Sequence, residues 1–138
     1  MDRTVIEQKL ESLRRCVARV ADKCPASAED LERDLDAQDI VSLNLTRAIQ
    51  ICVDLAAHLI ASRDIPAPDT MGQAFDALAL AGLIPTELAG RMKKAVGFRN
   101  IAVHNYDAIN WHIVHSLCRL HIDDFREFAI AILNLEQS

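Results

Sequence analysis

The stretch 40-IVSLNLTRAIQICVDLAAHLIAS-62 runs without a glycine or a proline. Leu43, Ala48, Cys52, Leu55 and Leu59 recur within it at helical steps, so it reads as a long helix burying one side. A rod of that kind needs other elements packed along it, and what surrounds it decides the fold class.

The surroundings are helical too. Glycine and proline number only four each in 138 residues, and the aliphatic residues are mostly Leu, Ile and Ala, a composition that favours helices over strands and turns. With 51% hydrophobic and 25% charged residues, the chain suits one globular domain over residues 1–138 with a sizeable core. The formal charge of −5 excludes the broad positive field of a general nucleic-acid binder, so any polyanion site has to be local.

Cys16, Cys24, Cys52 and Cys118 form no Cys-x-x-Cys pair and fall mostly on apolar helical positions, which predicts reduced, buried thiols. The amphipathic start MDRTVIEQKLESLRR lacks the apolar centre of a signal peptide, and no uninterrupted apolar run approaches the ~18 residues of a membrane span. The expectation is a soluble cytoplasmic protein.

Upstream of the central helix, Ile6, Leu10, Leu13, Val17 and Val20 predict a helix from Asp2 to about Cys24, ended by Pro25. The segment 27-SAEDLERDLDAQD-39 is read as a charged surface connector, with a short helix capped by Ser27 as the alternative. Downstream, Pro66 and Pro68 break the chain, and Thr70 or Asp69 caps a helix through Phe75 and Leu78 that stops at Gly82. Pro85 opens another through Leu88, Met92 and Val96, and a long last helix is expected from about Asp107 to Leu135 with Val114, Leu117, Phe125 and Phe128 inward. The prediction is an all-α, up-and-down bundle of four to five helices.

Several clusters carry possible chemistry. His112 and His115 stand three apart on one helix face, but no Glu-x-x-His or His-Glu-x-x-His accompanies them, so no metal site and no cofactor is assigned. Arg47, Gln50, Asp54 and His58 form a polar stripe along the central helix, which either faces water or lets Asp54 support a residue on a neighbouring helix.

The densest cluster is 99-RNIAVHNY-106. Arg99 is a permanent forked cation, His104 trades a proton near neutral pH, and Tyr106 brings a phenol. Together they suit phosphoryl transfer. On RNA the neighbouring 2′-hydroxyl is a built-in nucleophile once His104 withdraws its proton, so no metal is required and the products are a 2′,3′-cyclic phosphate and a 5′-hydroxyl. Arg99 would neutralise the charge building on phosphorus, while Asn100 and Tyr106 would position the phosphate. In-line attack wants a base and an acid, yet each chain offers one such histidine, so a two-fold dimer is expected. The run 91-RMKKAVGFR-99 can line the approach with positive charge, or simply be a solvated helix end. A purely structural reading makes RNIAVHNY a polar network at a helix start.

Arg99-Asn100-x3-His104-x-Tyr106 resembles the Arg-x4-6-His-x-Tyr signature of the HEPN ribonucleases, and most of all their HepT toxin branch. The stretches 44-NLTRAIQICVDLAAHLIA-61, 75-FDALALAGLIP-85 and 97-GFRN-100 are similar to that family in order and spacing, and the likeness extends over residues 5–132. The resemblance implies a homodimer with a composite cleft, metal-independent endoribonuclease activity toxic to the cell, and a nucleotidyltransferase antitoxin of the MNT type. It also implies that the antitoxin adenylylates the motif tyrosine, here Tyr106. A competing reading keeps the partner but drops the activity: a non-catalytic helical protein that binds nucleotide at Arg99 and His104, or serves only as the partner's substrate.

Overall fold

The computed structural model describes residues 3–136, and every regular element in that span is helical. In chain order the α-helices are α1 (Arg3–Lys23), α2 (Ala28–Arg33), α3 (Leu35–Ser62), α4 (Met71–Leu80), α5 (Thr86–His104), α6 (Trp111–Leu120) and α7 (Asp123–Glu136). The expected start at Asp2 lies outside the described residues.

The central rod is α3. Ala48, Cys52, Leu55 and Leu59 are buried in it as predicted, but Leu43 is 49% exposed, because Ala37, Val41, Leu45 and Ile49 take the packed side. An eighteen-residue window of α3 has a mean hydropathy of 1.4, enough by length and composition to cross a membrane. Here that apolar surface is spent on other helices, with 56% of the window buried. α1 runs antiparallel along it, and the core adds Phe75 from α4, Met92 from α5, Val114 from α6 and Phe128 from α7. Phe75 and Phe128 meet edge to face with centroids 5.5 Å apart.

The acidic segment is ordered, contrary to the surface-connector reading. Ser27 caps α2 by accepting from the Asp30 amide at 3.1 Å, and Asp34 caps α3 by accepting from the Ala37 amide at 3.0 Å. Leu31 is fully buried, and the buried Gln38 amide donates to the carbonyls of Leu31 and Glu32 at the end of α2. A serine and an acid of this segment thus serve as helix starts, and α3 begins at Leu35, five residues earlier than Ile40.

α4 ends as expected. Gly82 takes the left-handed conformation at φ 76°, with the Leu83 amide returning to the Leu78 carbonyl at 2.9 Å.

Two departures concern the site. α5 continues through Gly97 to His104, so most of RNIAVHNY is the end of a helix and not a helix start. The expected last helix, from about Asp107, also starts later, at Trp111, and is then interrupted once. Asn105 leaves helical geometry, residues Tyr106–Ala108 form a 3-10 turn, and Asn110 starts α6 by accepting from the amides of His112 and Ile113. The interruption, at His121 and Ile122, separates α6 from α7. Neither the turn nor the interruption contains glycine or proline. Asp124 past the interruption is held by Arg91 of α5 at 2.8 Å, a tertiary contact that the local sequence does not announce.

Candidate functional site

Helix geometry sorts the motif. Asn100 and His104 are four residues apart on one exposed face of α5, whereas Arg99 and His104 are five apart and diverge by roughly 140° around the axis. One chain therefore does not bring Arg99 and His104 face to face.

Arg99 is half-buried, and its Nη1 donates to Asn100 Oδ1 at 3.3 Å. Its Nε is buried and makes no hydrogen bond. A half-buried guanidinium has shed part of its water, and its terminal nitrogens remain forked donors for a phosphate oxygen. His104, the last residue of α5, is exposed and makes no hydrogen bond or ion pair among the described residues.

Tyr106 is tied to a different helix. Its phenol donates to Asp39 Oδ1 at 3.1 Å and lies 3.5 Å from Ser42 Oγ, both on α3. Its ring packs edge to face on Trp111 at 5.9 Å. Burial, foremost, raises the phenol above its ordinary pKa; Ser42 pulls it down, while the hydrogen bond and charge of Asp39 add to the rise. The phenol is thus a protonated donor at neutral pH, not a standing nucleophile. Asp39, Ser42 and Trp111 were missed by sequence reasoning. Trp111, the chain's only tryptophan, five residues past its only tyrosine, was the one signal available.

Asp54 has other duties. It accepts from Gln50 Nε2 at 3.0 Å and pairs with Lys9 of α1 at 3.4 Å, and His104 is not among its contacts. The basic run before the motif is partly neutralised as well: Arg91 binds Asp124 and Glu127, and Lys93 binds Asp76 at 2.8 Å, which leaves Lys94 and Arg99. His112 turns to Glu32 at 3.2 Å and His115 to the Pro25 carbonyl at 3.0 Å, so both fasten α6 to the segment around α2. Among the described residues no three His, Cys, Asp or Glu side chains converge as metal ligands.

Beside the motif, Phe98, Ile101, Ile109, Ile113 and Leu117 line an apolar groove between α5 and α6. Ile101 and Ile113 stand exposed there.

The sequence profile of a family described as Ribonuclease HepT-like matches residues 6–132. The mRNA nuclease HepT of Shewanella oneidensis is 34% identical over 124 residues, spanning 90% of this chain and 92% of that protein. A solved structure of a tri-AMPylated Shewanella oneidensis HEPN toxin in complex with its MNT antitoxin superposes with a TM-score of 0.88 at 33% identity, covering 97% of this chain and 99% of that one. A toxin–antitoxin structure with AMP-PNP gives 0.86 at 32% identity, over 96% and 99% of the two chains. The motif, the helix order and these likenesses agree, and the chain belongs to the HepT-like ribonuclease family.

Proposed function

We propose that this chain is the toxin of a toxin–antitoxin pair, a metal-independent endoribonuclease of the HEPN type. The observation that carries the reading is Arg99: a half-buried guanidinium with forked terminal donors, one residue from Asn100 on the face that His104 shares.

In this mechanism His104 removes the 2′-hydroxyl proton, the oxygen attacks the adjacent phosphorus in line, and the 5′-oxygen leaves with a proton from a second acid. Arg99 stabilises the negative charge of the pentacoordinate intermediate. Because Arg99 and His104 diverge on one helix, the site is completed by a second copy that brings its own motif across a two-fold axis. The exposed Ile101 and Ile113, on the apolar groove between α5 and α6, belong to the surface that the copies share, with the motif at its edge.

The partner is a nucleotidyltransferase antitoxin that adenylylates Tyr106. Added AMP brings bulk and negative charge next to Arg99 and His104, where substrate phosphate must sit. Messenger RNA is the first substrate to try, since the relative from Shewanella oneidensis is an mRNA nuclease. The site of action is the cytoplasm, and the single catalytic domain spans residues 1–138.

The test is incubation of unmodified protein and its His104→Ala variant with end-labelled RNA in EDTA. Cleavage by the wild type alone, leaving 2′,3′-cyclic phosphate ends, supports the reading. No cleavage by protein that mass spectrometry finds free of AMP would make the chain a non-catalytic partner of the transferase.

A further inference from the structure

α1 carries six cations, Arg3, Lys9, Arg14, Arg15, Arg19 and Lys23. Four are neutralised: Arg3 by Glu7, Lys9 by Asp54, Arg14 by Glu11 and Lys23 by Asp22. Arg15 and Arg19 make no ion pair among the described residues, and neither does Arg47, the cation of α3 that faces them across the cleft.

These three arginines line one open cleft between α1 and α3, with Ser12, Asn44 and Gln50 completing its walls. Their convergence is felt by Cys16 on the cleft wall, whose thiol is raised by burial and pulled back by the positive fields of Arg47 and Arg15. Among the described residues only Glu11, one turn before Arg15 and already bound to Arg14, lends this trio a nearby negative field, so the three like charges repel one another unless an anion joins them. Gln50 Oε1 is buried at this cleft without a hydrogen-bond donor, although its amide nitrogen is bound to Asp54. The cleft presents three forked phosphate donors on one open face.

Its position relates it to the motif. Asp39, Leu43 and Arg47 are the exposed residues of α3 at successive steps of four, and Asp39 is where the Tyr106 phenol is bound. Arg47 is therefore two turns, about 12 Å, along the same exposed line from the Tyr106 contact. Leu43, unexpectedly exposed, lies between them.

We propose that Arg15, Arg19 and Arg47 form a second RNA subsite, binding backbone phosphates of the substrate strand a few nucleotides away from the bond that is cut. The proposal rests on the ribonuclease reading of the motif. It assigns to the cleft sequence-independent affinity and leaves the chemistry to Arg99 and His104. The contacts are ionic, so their signature is salt dependence.

The experiment measures binding of a fluorescently labelled single-stranded RNA, several times longer than a dinucleotide, to the full chain carrying His104→Ala. Arg15→Gln, Arg19→Gln and Arg47→Gln are then combined in that background. The expected result is a roughly 10- to 100-fold loss of affinity near 0.1 M salt, and a slope of log K against log salt shallower by about 2, close to 0.7 for each phosphate contact. Arg14→Gln, removing a paired cation of the same helix, should keep both affinity and slope. The circular dichroism of the triple variant should match its parent, since the three side chains are exposed. Unchanged affinity and slope in the triple variant would overturn the proposal. So would unchanged RNA binding with lost capture of the nucleotidyltransferase, which would make the cleft a protein-docking surface. Failure of the ribonuclease reading itself shows separately, as absence of cleavage by the wild type.

Discussion

The phenol of Tyr106 donates to Asp39 Oδ1 across 3.1 Å, joining the end of the motif to the first turns of α3. This bond ties two segments 67 residues apart in sequence, and it adds to the rise that burial imposes on the pKa of the only tyrosine in the chain.

Asp39→Asn should lower the pKa of Tyr106, because the carboxylate both accepts the phenolic proton and opposes a second negative charge. Spectrophotometric titration of phenolate absorbance reads this group without interference from other tyrosines. An unchanged or higher midpoint would show that Asp39 does not govern the phenol. In the wild type the raised pKa favours the protonated folded state, so this group's stabilisation is whole below the unfolded pKa and is lost as pH rises through the folded one.

His104→Ala should remove about 10²- to 10⁴-fold of RNA cleavage, the usual share of a general base. Stability should shift by no more than about 0.5 kcal/mol, because the ring is exposed and makes no bond to lose. A large drop in melting temperature with activity retained would reverse the assignment.

Gln38→Ala should destabilise the fold by about 2 kcal/mol, from two side-chain bonds to helix-end carbonyls at 2.9 and 3.0 Å. Urea unfolding followed by circular dichroism measures it. A cost below about 0.5 kcal/mol would mean that water replaces the amide without penalty.

The folded protein should resist thiol alkylation and react fully in denaturant. All four cysteines are free and buried, and burial pushes the Cys52 and Cys118 thiols far above their usual range, with Cys24 hydrogen-bonded to Cys118 adding to the latter. Rapid labelling of more than one thiol under native conditions would contradict this packing.

How far the sequence spoke depended on whether the signal was local. The stripe of α1 and the Gly82 stop are written within a few residues of where they act and were read correctly, and of the two caps read for α4, Thr70 or Asp69, Thr70 is the one that acts. The break between α6 and α7 was not legible, since its fixing contact comes from Arg91, more than thirty residues upstream. The acidic segment misled because a high charge density masked the single buried Leu31 and the capping role of Asp34, and so favoured the connector over the Ser27-capped helix that was its alternative. Asp54 was correctly seen as polar on an apolar rod, but its partner Lys9 belongs to a stripe read only for its apolar members. The motif residues were recognisable by type and spacing, whereas the anchoring of Tyr106 on Asp39 and Ser42 exists only in three dimensions.

The interruption of α5 at Asn105 has a mechanical meaning. His104 moves with α5, while Tyr106, one residue beyond the interruption, is fastened to α3 and Trp111. The two ends of the signature thus ride on separate levers joined by a single residue. A partner that pulls Tyr106 off its mooring alters the spacing between phenol and imidazole without laying a hand on His104.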